Sequence, residues 1–267
     1  MRILELKQKP IHRVRYTNAA KRGGVATGQL EVLRATVDTL PEGVRGLLAT
    51  SDLQGVVAPW QLGGETVLLG EHLPEHFSEL SSDGSFPNPA TLGAILAGDL
   101  YSAPGGDVRG ATGDVRSVWN AFAQHFSWVV GVAGNHDLFG SNRDAARFAA
   151  QPNVHLLDGE ALLLGDARIG GIGYIIGDPA MVGRRDRDDY LAALSLVLEQ
   201  RPEILILHNG PHGDWRQRGD VDIRDAILSA PPLLVICGHS HWDAPLHELE
   251  NGTQILNVDA RAVLLAT

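Results

Sequence analysis

Six residues of this 267-residue chain have types and positions suited to holding metal ions: Asp52, Asp99, Asn135, His208, His239 and His241. Two carboxylates, one amide oxygen and three imidazoles form a donor set matched to borderline divalent metals such as Mn²⁺, Fe²⁺ or Zn²⁺. Calcium alone would not need three histidines. Taken singly, each residue has a plainer use. An Asp after a strand commonly forms a turn or caps a helix, a single buried His is commonly a hydrogen-bonded core residue, and a His pair can be an exposed turn. It is their joint occurrence in one pattern that points to a site.

That pattern lies in the elements that precede them. Gly46–Thr50 leads into Asp52, Ala94–Ala97 into Gly98-Asp99, and Trp128–Ala133 into Gly134-Asn135-His136-Asp137. Ile204–Leu207 leads into His208, and Leu233–Cys237 into Gly238-His239-Ser240-His241. Apolar runs of this length, bounded by Gly or polar residues, read as buried strands, and open α/β sheets gather ligands at the carboxyl ends of their strands. His239 and His241 face one side if extended, while a turn there would aim them at two adjacent ions.

The rest of the chain reads as alternating strands and helices. Residues 1–16 suit an N-terminal strand, and the apolar spacing of Leu30, Val32, Leu33, Val37 and Leu40 predicts an amphipathic helix over 29–40. Helices are expected over 118–126, 142–150 and 189–199, and a strand over 168–174. Segments 81–89 and 102–113, rich in Gly, Pro, Ser and Asn, read as loops beside the site. Gly171-Ile172-Gly173 lacks the strand, tight turn and helix of a dinucleotide-binding motif.

Composition sets the class. With 44% hydrophobic and 20% charged residues, the chain has material for one large core, so a single domain over 1–267 is expected. A lone cysteine, Cys237, excludes an intramolecular disulfide and a multi-cysteine zinc site, and its apolar run suits a core position. No signal peptide or membrane-spanning stretch is evident, which makes a soluble cytoplasmic protein the expectation. A formal charge of -10 disfavours non-specific attraction to nucleic acid or anionic membranes. It permits a phosphorylated substrate, because bound metal reverses the local field.

The order of motifs resembles the calcineurin-like metallophosphoesterase superfamily, with its Asp-x-His, Gly-Asp, Gly-Asn-His-(Asp/Glu), isolated His and Gly-His-x-His. The matching residues here are Asp52-Leu53-Gln54, Gly98-Asp99, Gly134-Asn135-His136-Asp137, His208 and Gly238-His239-Ser240-His241, within roughly 46–258. The resemblance implies an α/β fold, a four-layer α/β/β/α sandwich with two mixed β-sheets, and a dinuclear centre at one edge. One metal would be held by Asp52, Gln54 and His241, the other by Asn135, His208 and His239, with Asp99 bridging. His136 would act as the catalytic histidine off the metals, with Asp137 as its orienting partner.

The resemblance further implies a metal-dependent phosphoric ester hydrolase, a phosphodiesterase or phosphomonoesterase. Two divalent ions, Mn²⁺ first among them with Fe or Zn as alternatives, would activate a bridging hydroxide for in-line attack on phosphorus. The partner is a phosphorylated substrate, with nucleic acid only in that capacity. Gln54 departs from the pattern: an amide oxygen is a harder, weaker donor than imidazole, and it could also turn away and leave its place to water. That departure motivates the alternative of a catalytically impaired binding or scaffold protein on the same fold. His72, His76 and His212 could contact substrate or sit on the surface, and Arg143, Arg184 or Arg185 could clamp a phosphate or lie in a solvated charge run.

Overall fold

The computed structural model describes residues 1–57 and 66–267. Two mixed sheets dominate it. In the larger, Leu47–Ser51, Gly93–Leu96 and Trp128–Gly131 run parallel, with Thr50 opposite Leu96 and Leu96 opposite Gly131. Their carboxyl ends therefore align. The C-terminal strand Arg261–Ala266 lies antiparallel on the other side of Leu47–Ser51. In the smaller sheet Ile204–Asn209, Leu234–Gly238 and Gln254–Asn257 run parallel, with Leu207, Cys237 and Asn257 in register. Leu47–Ser51, Gly93–Leu96, Trp128–Gly131, Ile204–Asn209 and Leu234–Gly238 are the five buried strands expected from the sequence, and Gln254–Asn257 and Arg261–Ala266 are added by the structure.

Period-two alternation sends successive side chains to opposite faces of each strand. Leu48, Ala94, Leu96 and Val129 join a core with the helices Leu69–Ser82 and Arg116–His125, through Phe77, Trp119 and Phe122. Their neighbours Leu47, Ala49, Ile95 and Val130 meet Ile204, Ile206, Leu234 and Ile236 of the other sheet. On that sheet's far side Leu205, Leu207, Val235 and Cys237 pack against Tyr190 and Leu194 of helix Arg187–Glu199 and Ile223 of helix Val221–Ser229. The order of these three cores fits a helix, sheet, sheet, helix stacking. Cys237 is a free, buried thiol. No helix among the described residues is long and apolar enough to cross a membrane.

Several expectations are corrected. The helix expected over 29–40 is instead the strand Val25–Val37. Leu30 and Val32 face the helix-side core, whereas Leu33, Ala35 and Val37 face the core between the sheets. A strand that changes its buried face midway brings apolar residues together at spacings that imitate a helical stripe. Residues 1–16 form two strands, Ile3–Leu6 and His12–Ala19. The loop 81–89 leads through Pro89–Thr91 to the amino end of strand Gly93–Leu96, away from the site, whereas 102–113 does reach the site. In the interval 56–93, Val56–Val57 and Val67–Leu68 extend the larger sheet and residues 58–65 lie outside the described residues.

Candidate metal centre

The strand ends meet at one cleft of about 670 Å³, lined by Asp52, Gln54, Asp99, His136, His239 and His241 among others. Asp52, Asp99 and His239 each leave their strand in the left-handed region, at φ 53°, 56° and 66°. Such a conformation costs a non-glycine residue about 1–2 kcal/mol, and here it turns three candidate side chains back over the sheet ends. Gly98, at φ 87°, makes the next turn possible: a Cβ on it would lie 2.5 Å from Gly134 N and 2.7 Å from His208 Nδ1. The Asp99 turn and the Asn135 turn can approach each other only across a glycine.

Asp99 is the hub. Its Oδ2 accepts from Gln54 Nε2 at 3.2 Å and lies 3.4 Å from His208 Nε2, while its Oδ1 accepts the His136 backbone N–H at 2.9 Å. His208 shares the strand face of Ile204 and Ile206, which aims it between the sheets, and the register shift between Leu207 and Asn209 adjusts that aim. There its Nδ1 meets the Ala97 carbonyl at 2.8 Å, leaving Nε2 3.2 Å from Asn135 Oδ1. Atoms bound about 2.1 Å from one ion are roughly 3.0–3.4 Å apart at angles of 90–109°. The Asp99–His208–Asn135 spacings fit that requirement, and the ligand atoms of Asp99, His208 and His239 all lie within 4.8 Å of one another.

The electrostatics mark Asp99 and Asp52 as a strongly negative centre. Burial alone would lower the pKa of His208, but the Asp99 carboxylate, with Asp52 and the Ala97 carbonyl, raises it to about 10. Burial and the neighbouring His208 lower His239 to about 4, so it is a neutral donor. Asp52 is raised well above the usual carboxylate range by burial and by the charges of Asp259 and Asp99. Crowded carboxylates of this kind are relieved by a cation.

The residues of the other predicted set are near but differently engaged. Asp52 Oδ2 accepts from Ser51 Oγ at 2.7 Å and from His239 N at 2.9 Å. Gln54 is drawn with its amide nitrogen toward Asp99, and half a turn of the amide exchanges donor for acceptor. His241 turns Nδ1 to Asp259 Oδ1 at 3.1 Å, and the Arg261 guanidinium lies 3.1 Å from its Nε2.

The expected pairing of Asp137 with the His136 ring is not formed. Asp137 is buried, and its carboxylate accepts the backbone N–H groups of Asp99, Leu100 and Gly134, each at 2.8 Å. It ties the Asp99 turn and the Asn135 turn together. Burial and the Asp99 charge raise its pKa to about 6 against these hydrogen bonds. The partner of His136 is Thr112, whose Oγ1 is 3.2 Å from Nδ1.

Sequence reasoning also missed Asp259, although it follows the apolar strand Gln254–Asn257 just as the other acidic residues follow theirs. His72, His76 and His212 do not line the cleft, and neither do Arg143, Arg184 or Arg185. Arg185 is paired with Asp158 and stacked over Tyr174.

Comparison with known proteins places these features in a family. A search of curated proteins finds no match. Among solved structures, the chain is similar to the sulfate thiohydrolase SoxB of Thermus thermophilus in complex with glycerol, at 12% identity and TM-score 0.43. That match covers 84% of this chain and 53% of the other, so the chain spans about half the length of SoxB. The family model for calcineurin-like phosphoesterase matches residues 48–243, which contain all five strand-end motifs. The chain belongs to the calcineurin-like phosphoesterase family.

Proposed function

We propose that this cleft hydrolyses phosphoric esters with two divalent metal ions, Mn²⁺ first among them and Fe or Zn next. The observation that carries the reading is the position of Asp99 Oδ2, between Gln54 Nε2 at 3.2 Å and His208 Nε2 at 3.4 Å. One carboxylate oxygen thus touches a member of each ligand set. Asp99, Asn135, His208 and His239 would hold one ion, and Asp52, Gln54 and His241 the other, with Asp99 shared. When bound, such a pair neutralises the ester's charge and activates water for in-line attack on phosphorus.

The chain's own residues supply orientation and proton handling. His136 lines the cleft with Nδ1 set against Thr112, which fixes the ring so that Nε2 can serve the ester. In that place His136 hydrogen-bonds a phosphoryl oxygen or delivers a proton to the leaving oxygen. Its backbone N–H holds Asp99 Oδ1, so histidine and hub carboxylate move as one. Asp259 orients His241 from behind, an arrangement that raises the basicity of a ligating imidazole.

A cleft of about 670 Å³ suits a small phosphorylated compound or the end of a longer one. Monoesters and diesters both remain substrates in this reading, with nucleic acid only in that role and no membrane partner. A cytoplasmic setting belongs to this reading, and the free buried thiol of Cys237 permits it.

A second reading, a binding protein without effective catalysis, is favoured by the amide at Gln54 and by Arg261 beside His241. A metal-reconstituted panel of aryl monoesters, aryl diesters, cyclic nucleotides and nucleic acids, with metal stoichiometry measured alongside, separates the two. Two ions per chain with turnover of any ester supports the hydrolase. Metal binding without turnover of any of them supports the binding protein.

A further inference from the structure

A second group of imidazoles lies outside the cleft, where the start of strand His12–Ala19 meets helix Leu69–Ser82. His72 and His76 stand one helical turn apart with their rings stacked at 5.3 Å. His12 reaches across from the strand and brings its Nε2 to 2.9 Å from Nε2 of His76. All three are part-buried.

Two imidazole nitrogens this close share a proton, one ring donating and the other accepting. The same separation is that of neighbouring ligands on one ion, since nitrogens about 2.0–2.1 Å from a metal lie roughly 2.9 Å apart at a right angle. The surroundings of His76 favour the ion. The other nitrogen of His76, Nδ1, faces Glu79 Oε2 at 3.6 Å, the carboxylate support commonly found behind ligating histidines.

We propose that His12 and His76 form a metal site distinct from the cleft, taking Zn²⁺, Ni²⁺ or Cu²⁺ through their Nε2 atoms with water completing the coordination. An imidazole pair selects these metals over Mg²⁺ and Ca²⁺. The ion would fasten the strand to the helix. That strand continues to Tyr16 and Asn18 in the cleft wall, so the site braces one side of the cleft from outside it.

The test is Ni²⁺ binding to the full chain, compared among wild type, His12→Gln, His76→Gln and Glu79→Gln, with folding checked by circular dichroism. Nickel entering the cleft is common to all four and cancels in the comparison. Wild type should bind one equivalent more than either His→Gln variant, and Glu79→Gln should keep that equivalent with about tenfold weaker affinity. Equal stoichiometry in wild type and both His→Gln variants overturns the proposal. Should those variants fail to fold, Cu²⁺ added to wild type decides: selective broadening of the His12 and His76 ring resonances supports the site, and unchanged resonances refute it.

Discussion

Replacing Gly98 with alanine tests the claim that the Asp99 and Asn135 turns depend on a contact only glycine allows. The added Cβ would sit 2.5 Å from Gly134 N, 2.7 Å from Gly134 Cα and 2.7 Å from His208 Nδ1, where ordinary contact begins near 3.4 Å. Backbone cannot swing aside, and the His208 ring is held by its 2.8 Å bond to the Ala97 carbonyl. Left-handed backbone costs about 1–2 kcal/mol for alanine, and overpacking adds about 1–3 kcal/mol. Their sum, about 2–5 kcal/mol, corresponds to roughly 2–4 °C of Tm per kcal/mol in a chain of this size.

Gly84→Ala is the control, because Gly84 has φ +80° but nothing within 4 Å of its would-be Cβ. It carries the conformational cost without the collision. Thermal unfolding should therefore show Gly98→Ala less stable than Gly84→Ala by about 1–3 kcal/mol. Added Mn²⁺ should raise the Tm of Gly84→Ala as in wild type, and that of Gly98→Ala much less, since Asp99 and Asn135 ride on the displaced turns. Equal destabilisation by the two substitutions, with equal response to Mn²⁺, would refute the reasoning.

The site's geometry sets further outcomes. His136→Ala should lower kcat by about 10²–10⁴-fold, the usual worth of a positioned acid or base, while leaving metal content by elemental analysis unchanged. Gln54→His should tighten the weaker of two metal-binding steps in calorimetry, and an unchanged isotherm would mean that position 54 does not ligate. The raised pKa of His208 contributes stability to the metal-free chain that is complete below about 6.5 and lost as pH rises through about 10. Metal binding must displace that proton, so affinity should grow about tenfold per pH unit between roughly 7 and 9, with proton release detectable by calorimetry in two buffers.

The candidate site was more legible in the sequence than the scaffold, for physical reasons. Strands buried on both faces read as unbroken apolar runs, so Leu47–Ser51 and Leu234–Gly238 announce themselves and the polar residues just past them stand out. Val25–Val37 was hidden because its buried face changes midway, a tertiary fact that local spacing cannot carry. Asp259 carried a usable signal, an acidic residue after an apolar strand, but no motif called attention to it. Thr112 carried none, since its contact with His136 depends on the path of a glycine-rich loop. Asp137 stands out by its place in Gly134-Asn135-His136-Asp137, yet its partners are three backbone N–H groups, and main-chain partners leave no trace in side-chain patterns.

Hydrolysis of bis(4-nitrophenyl) phosphate and 4-nitrophenyl phosphate by the Mn²⁺-reconstituted chain, beside metal-stripped protein and Asp99→Asn, tests the central claim most directly. The account predicts turnover of at least one ester by the reconstituted wild type, none after stripping, and loss in Asp99→Asn together with bound metal. Equal turnover by the stripped protein, or full activity in Asp99→Asn, would contradict it.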